Sequence, residues 1–238
     1  MDNNTSKIVS SDLAMLYRVG GWAALLHLVS IVALLSAQLL GPRPTTAEEY
    51  LLIQQSSSLE ALLRGDFLLL FLIGAYLGTF PALYVALKPI NPVAVFFATL
   101  FTFIAVTVAF TNESSFSLLH LGKQYAAANS EVVRTQLVAA VEAIIAANSM
   151  WHSSGAYMSG FLLQGAGVII SLVMLRSRNF SKVTAIAGLL GNALDLGQHM
   201  IHPFTPDFSS IIHPIMGIFY FVWFPSLARD LFRISKTK

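Results

Sequence analysis

Asn192, Asp195, His199 and His202 follow one another at spacings of three, four and three residues. On a helix these spacings put all four side chains on one face. Carboxylate and neutral imidazole are ligands for Zn, Cu, Fe or Ni. Asp195 and His199, four residues apart, can hold one ion from a single helix. His213, in the next apolar segment, is the natural third ligand. His152, His202 or Glu113 would be a fourth ligand or would orient the other three. Three protein ligands and a water make a site of catalytic form. A divalent transition metal there, Zn or Cu, lowers the pKa of the water, and Glu113 is placed to act as general base.

The same residues have plainer uses. Asp195, His199 and His213 can form an interhelical hydrogen-bond network that fixes packing, or carry protons without a metal. His202 precedes Pro203 and can cap a helix end. His152 adjoins Trp151 and can anchor an interface. His120 reads as a solvated loop residue and His27 as a satisfied packing residue.

These residues belong to an apolar chain. Of 238 residues 55% are hydrophobic and only 11% charged, against about a quarter charged in an ordinary soluble domain. So few charges cannot cover a soluble surface of this size, so lipid must cover much of it. A net charge of +2 gives no reason to expect nucleic acid, and the absence of cysteine excludes thiol chemistry and disulfides. A spanning helix needs about 20 mostly apolar residues. Six stretches fit: 19–40, 67–87, 92–111, 151–175, 183–200 and 211–227. The first is too long for a signal-peptide core and reads as a retained helix. The expected fold is all-α, a six-helix transmembrane bundle forming a single membrane domain over 1–238.

Lys and Arg orient it. Lys7, Arg18, Lys88, Arg176, Arg178, Lys182, Arg229, Arg233, Lys236 and Lys238 fall on one side; Arg43, Arg64, Lys123 and Arg134 fall on the other. The basic side should face the cytoplasm, with both termini inside, in the plasma membrane of a prokaryote. Two longer outer segments remain. A short helix is expected around Ala47–Leu63 and an amphipathic helix from an N-cap at Ser130, the latter running on toward span four.

Depth follows from the helical rise. Asp195 lies roughly 18 Å and His199 roughly 24 Å from the cytoplasmic end of span five, and His213 lies roughly 21 Å along span six. Glu113 and His152 fall at the outer rim. The topology therefore gathers the candidate ligands into one outer-leaflet layer.

Arg18-Val-Gly-Gly-Trp opens span one, and Ala82-Leu83-Tyr84 precedes Lys88-Pro89-Ile90-Asn91 at the end of span two. His152-Ser153-Ser154-Gly155 and Gly160 mark span four, before Arg176-Ser177-Arg178 at the turn. On these residues the chain, from Arg18 to about Phe232, resembles a bacterial multi-pass membrane family, domain of unknown function four-three-eight-six. The resemblance implies a six-helix bundle and brings no activity with it. The polar stripe of span five lies outside that pattern.

Three functions follow from this reading. The first is a metal-dependent membrane hydrolase or oxidoreductase. The second is a non-catalytic subunit or sensor of a membrane complex, with a membrane-protein partner or a second copy of the chain packed on its small-residue faces. The third is a proton-coupled transporter.

Overall fold

The computed structural model describes residues 3–41, 44–149, 151 and 153–237, without the side chains of 3–10 and 208–210. Among the described residues there are helices and no strands. The elements are α1 (Asn3–Ala37), α2 (Ala47–Ser56), α3 (Ser58–Arg64), α4 (Phe67–Gly74), α5 (Tyr76–Leu87), α6 (Pro92–Thr111), α7 (Ser115–Ala127), α8 (Glu131–Asn148), α9 (Ser154–Met174), α10 (Lys182–Ile201) and α11 (Pro206–Ser235).

Among the described residues, five segments are long and apolar enough to cross a membrane: Ser11–Leu40, Phe67–Leu87, Pro92–Ala127, Ser154–Met174 and Ile211–Ser235. The expected second span breaks at Ala75 into α4 and α5. Pro81 lies six residues further on and has no N–H to give to the Leu77 carbonyl. Helix α10 is not among the five, because Asn192, Asp195, Gln198 and His199 dilute its apolar run.

Caps fix where the helices begin. Asn91 accepts from the Ala94 N–H, with Pro92 in the first turn. Ser153 accepts from Ala156 N and Ser181 from Thr184 N. Such side-chain oxygens satisfy backbone donors that have no partner within the helix. Ser130 caps α8 as its sequence predicts, accepting from Val133 N. That helix stops at Asn148 rather than running into α9. The outer segment expected as one helix around Ala47–Leu63 is split at Ser57, which caps α3.

Neighbouring helices close a ring: α11 packs on α1, α1 on α5, α5 on α6, α6 on α9, α9 on α10, and α10 back on α11. Small residues permit the close crossings. A Cβ on Gly20 would stand 2.4 Å from the Ala82 Cβ, and one on Gly188 2.4 Å from the Trp223 indole nitrogen. The core holds Phe80, Leu83, Leu87, Ile170, Met174, Trp223, Phe224, Leu227 and Leu231. Outward-facing Val29, Phe96, Ile104, Val183, Ile186 and Ile218 are exposed, as a lipid-facing surface requires.

Both described chain ends lie at one end of the ring, where Trp22 meets Phe232 edge-on at 5.4 Å between ring centroids. Over the opposite end sits a cap of α2, α3, α7 and α8 with its own small core: Ala47, Tyr50, Leu51, Ala61, Leu118 and Val141.

Candidate functional site

Helix α10 turns its polar stripe inward. Asn192, Asp195, Gln198 and His199 are all buried. Asn192 Nδ2 donates to the Gly188 carbonyl at 2.7 Å. A Cβ on Gly167 would come within 1.9 Å of Asn192 Oδ1, so this amide is a packing element wedged against α9.

One turn on, Asp195 and His199 are 6% and 3% exposed. His199 Nδ1 lies 3.0 Å from the Asp195 carbonyl and 3.3 Å from Asp195 Oδ1. Two acceptors at Nδ1 place the proton on that nitrogen in the neutral ring. His199 Nε2 is then an acceptor, and it is buried with no hydrogen-bond partner. It points at Gly160, where a Cβ would stand 2.1 Å away. Across the interface the Tyr220 hydroxyl is 2.9 Å from Asp195 Oδ2 and 2.9 Å from Gln164 Oε1. It has one proton for two acceptors. The carboxylate is the stronger acceptor, and turning the Gln164 amide over supplies a donor on the other side. The result is a sealed Asp–His–Tyr–Gln cluster contributed by α9, α10 and α11. Tyr157, on α9, donates to the His199 carbonyl at 2.8 Å.

The other candidates lie elsewhere. His213 is on the exposed surface of α11 and does not join Asp195 and His199. It is exposed where Asp195 and His199 are buried, and its depth also differs from the one expected. Depth counted from the span ends puts His199 and His213 level, but the observed pairing is Asp195 with Tyr220. His199 is four residues beyond that level and His213 seven, which separates them by roughly 4.5 Å along the helices. His202 stacks on Trp151, with ring centroids 3.5 Å apart. Glu113 sits in the turn between α6 and α7, while His120 is exposed on α7. His152 lies outside the described residues. Among the described residues no group of three or more His, Asp or Glu side chains could hold a metal ion.

His27 departs from its expected role as a satisfied packing residue. It is fully buried, and neither ring nitrogen makes a hydrogen bond of good geometry. The Leu72 carbonyl is the polar group that reaches it. Its ring stacks on Phe224 at 4.4 Å and leans on Tyr76 at 4.1 Å.

The sequence also did not foretell a cavity of about 840 Å³ between the cap and the ring. Leu69 and Ile73 of α4, Tyr50 of α2, Ser115 of α7, Glu142 of α8 and Ser159 of α9 contribute to its wall, as do Asp66, Glu113 and Trp151. These residues come from segments far apart in the chain, and no local spacing announces them. Burial pushes the Tyr50 phenol up to about 12, so it is a neutral hydroxyl at physiological pH. Nearby, the Thr45 backbone N–H, 2.8 Å from the carboxylate, holds Glu49 below its ordinary value. Trp151 joins the two sites. It lines the cavity, and its ring centroid is 5.3 Å from that of His199.

These features define a membrane-spanning helical protein with a buried carboxylate–imidazole cluster beneath a cavity whose wall mixes carboxylates and hydroxyls with apolar side chains. The family model for Domain of unknown function (DUF4386) matches residues 22–228, and the chain belongs to that family. The cluster falls inside the matched region. Comparison with curated proteins gives no match, and neither does comparison with solved structures.

Proposed function

We propose that this chain is a non-catalytic membrane sensor: a small solute occupies the cavity, and the Asp195–His199 pair beneath it carries the responding proton. Trp151 carries the proposal, as a wall of the cavity that also touches His199 and stacks on His202. Ionisable groups inside a membrane are costly to keep and mark function by default. A metal centre would favour a third carboxylate or imidazole beside Asp195 and His199, and among the described residues no His, Asp or Glu completes such a group of three. The proton is the simpler cargo for a sealed carboxylate–imidazole pair.

The groups facing that pair are Tyr220 from α11, Gln164 and Tyr157 from α9, His202 and Trp151 at the α10 end, and Tyr76 of α5, which feels the Asp195 charge. Among the described residues that face it, none is a Lys or Arg. Protonating His199 therefore creates a charge that Asp195 alone neutralises, and deprotonating it removes half of an ion pair. Either change alters how α10 is held between α9 and α11.

In this reading α10 crosses the membrane as the sixth span, with its charged pair shielded by its neighbours. The cavity opens on the outer side of the plasma membrane and the chain ends lie in the cytoplasm, as the ten-to-four bias of basic residues favours.

The test is nitrogen NMR of histidine-labelled protein in lipid, with His199 assigned from His199→Gln. The ring should gain and lose a proton as the pH is varied, and Asp195→Asn should displace its midpoint. A His199 that keeps one protonation state throughout would refute the sensor.

A further inference from the structure

The cavity walls indicate what kind of solute fits. The described lining residues include four carboxylates, Glu48, Asp66, Glu113 and Glu142, and no Lys, Arg or His. Asp66 is buried and Glu113 half-buried, each already engaged within the chain, while Glu48 and Glu142 stand exposed at the rim. The acidic groups therefore run from rim to floor.

A second observation is independent of that charge. Tyr50 and Ser115 are 2% and 4% exposed. Both line the cavity, and neither the Tyr50 hydroxyl nor the Ser115 hydroxyl has a hydrogen-bond partner. A buried hydroxyl without a partner costs about 1–3 kcal/mol, and a ligand donor entering the cavity would remove that cost.

The spread of the carboxylates decides between two kinds of cation. A single metal ion needs its ligands converging, and among the described residues no three acids or histidines do so. Ammonium groups spaced along a chain match acids spaced along a wall. Leu69, Ile73, Leu118 and Ile145 line the same space and suit the methylenes between them. Trp151 offers a ring to a cation.

We infer that the cavity binds an extended organic cation, one carrying two or more ammonium groups separated by methylene chains. The inference rests on reading the cavity as a ligand site. It needs no particular response from the Asp195–His199 pair.

Spermidine is a suitable probe. Calorimetric titration into full-length protein in phosphatidylcholine nanodiscs, with empty discs as blank, should show saturable binding, and glutamate should show none. Binding should weaken as salt rises, because the rim carboxylates are screened. Tyr50→Phe should weaken spermidine about tenfold or more, as expected for loss of one bond to a charged group, and Glu142→Gln, at the exposed rim, by up to about fivefold. Both variants should keep the fold: the first removes a hydroxyl with no partner, the second an exposed charge.

Spermidine heats equal to the blank, or both variants binding like the parent, would overturn the proposal. Calcium binding with the same sensitivity to the two variants would assign the cavity to a metal ion instead. Glutamate binding in competition with spermidine would overturn the ligand class yet leave a ligand cavity. A His199 that fails to titrate while spermidine binds would remove the sensor and leave this inference intact.

Discussion

Tyr220 and Asp195 meet across the interface of α10 and α11, hydroxyl to carboxylate at 2.9 Å. The contact sets the register of the two helices and with it the make-up of the buried cluster. His199 then faces Gly160 and Trp151 rather than a second histidine. Replacing Tyr220 by Phe would leave Asp195 Oδ2 buried and short of a donor. That should cost about 1–3 kcal/mol, seen as a lower melting temperature in detergent. In a double-mutant cycle with Asp195→Asn the two changes should be non-additive, coupled by about 0.5–3 kcal/mol. Additive effects would mean that the contact contributes nothing.

Helix α9 supplies a test of close packing with its own control. Gly160→Ala would place a methyl 2.1 Å from His199 Nε2, whereas a Cβ on Gly165 meets nothing within 4 Å. Overpacking of this kind costs about 1–3 kcal/mol. Replacing a helical glycine at an open site stabilises by about 0.4–1 kcal/mol. Gly160→Ala should therefore melt lower than the parent and Gly165→Ala no lower. If the two melted alike, His199 would not be seated against Gly160.

At the end that holds the chain termini, Asp230 is 1% exposed and ties α11 to the start of α10. Its Oδ2 accepts from Ser181 N at 2.8 Å and from the Thr184 hydroxyl at 2.6 Å, and Arg233 lies 3.0 Å from Oδ1. A carboxylate at a helix N-terminus also meets the positive end of the helix dipole. Asp230→Asn should cost about 1–3 kcal/mol. Arg233 is half-exposed, so Arg233→Gln should cost less, within the 0–1 kcal/mol of a surface pair. The reverse order in melting temperature would show that the salt bridge, not the cap, holds this end.

Much of the fold was legible because each signal was local. Five apolar stretches, the cap at Ser130, and the face shared by Asn192, Asp195 and His199 all follow from spacing within one element. What failed was relational. Depth counted from span ends misplaced His213, because only the Asp195–Tyr220 contact fixes how far α11 slides along α10. Tyr220 and Gln164 carry no charge at neutral pH and so attract less notice than histidines inside a membrane. The cavity draws on Tyr50, Asp66, Ser115, Glu142 and Trp151, which only the folded chain brings together. His27 was visible as a polar residue in span one, but its lack of a well-formed partner was not.

The standing of α10 as a sixth span decides whether Asp195 and His199 lie within the membrane at all. Its composition alone does not place it among the spanning helices, since the polar stripe lowers its hydropathy. Burial offsets this: Asn192, Asp195, Gln198 and His199 face neighbouring helices, while Val183, Ile186 and Leu190 face outward. A helix of 20 residues spans roughly 30 Å, the thickness of the hydrocarbon core. The chain has no cysteine, so single substitutions report cleanly on sidedness. Arg178→Cys, in the turn before α10, should react with a membrane-impermeant maleimide only after permeabilisation. Thr205→Cys, just beyond α10, and Glu131→Cys, at the start of α8, should react in intact cells. If Arg178→Cys and Thr205→Cys labelled from the same side, α10 would not cross, and the buried pair would belong to a helix lying at the membrane surface.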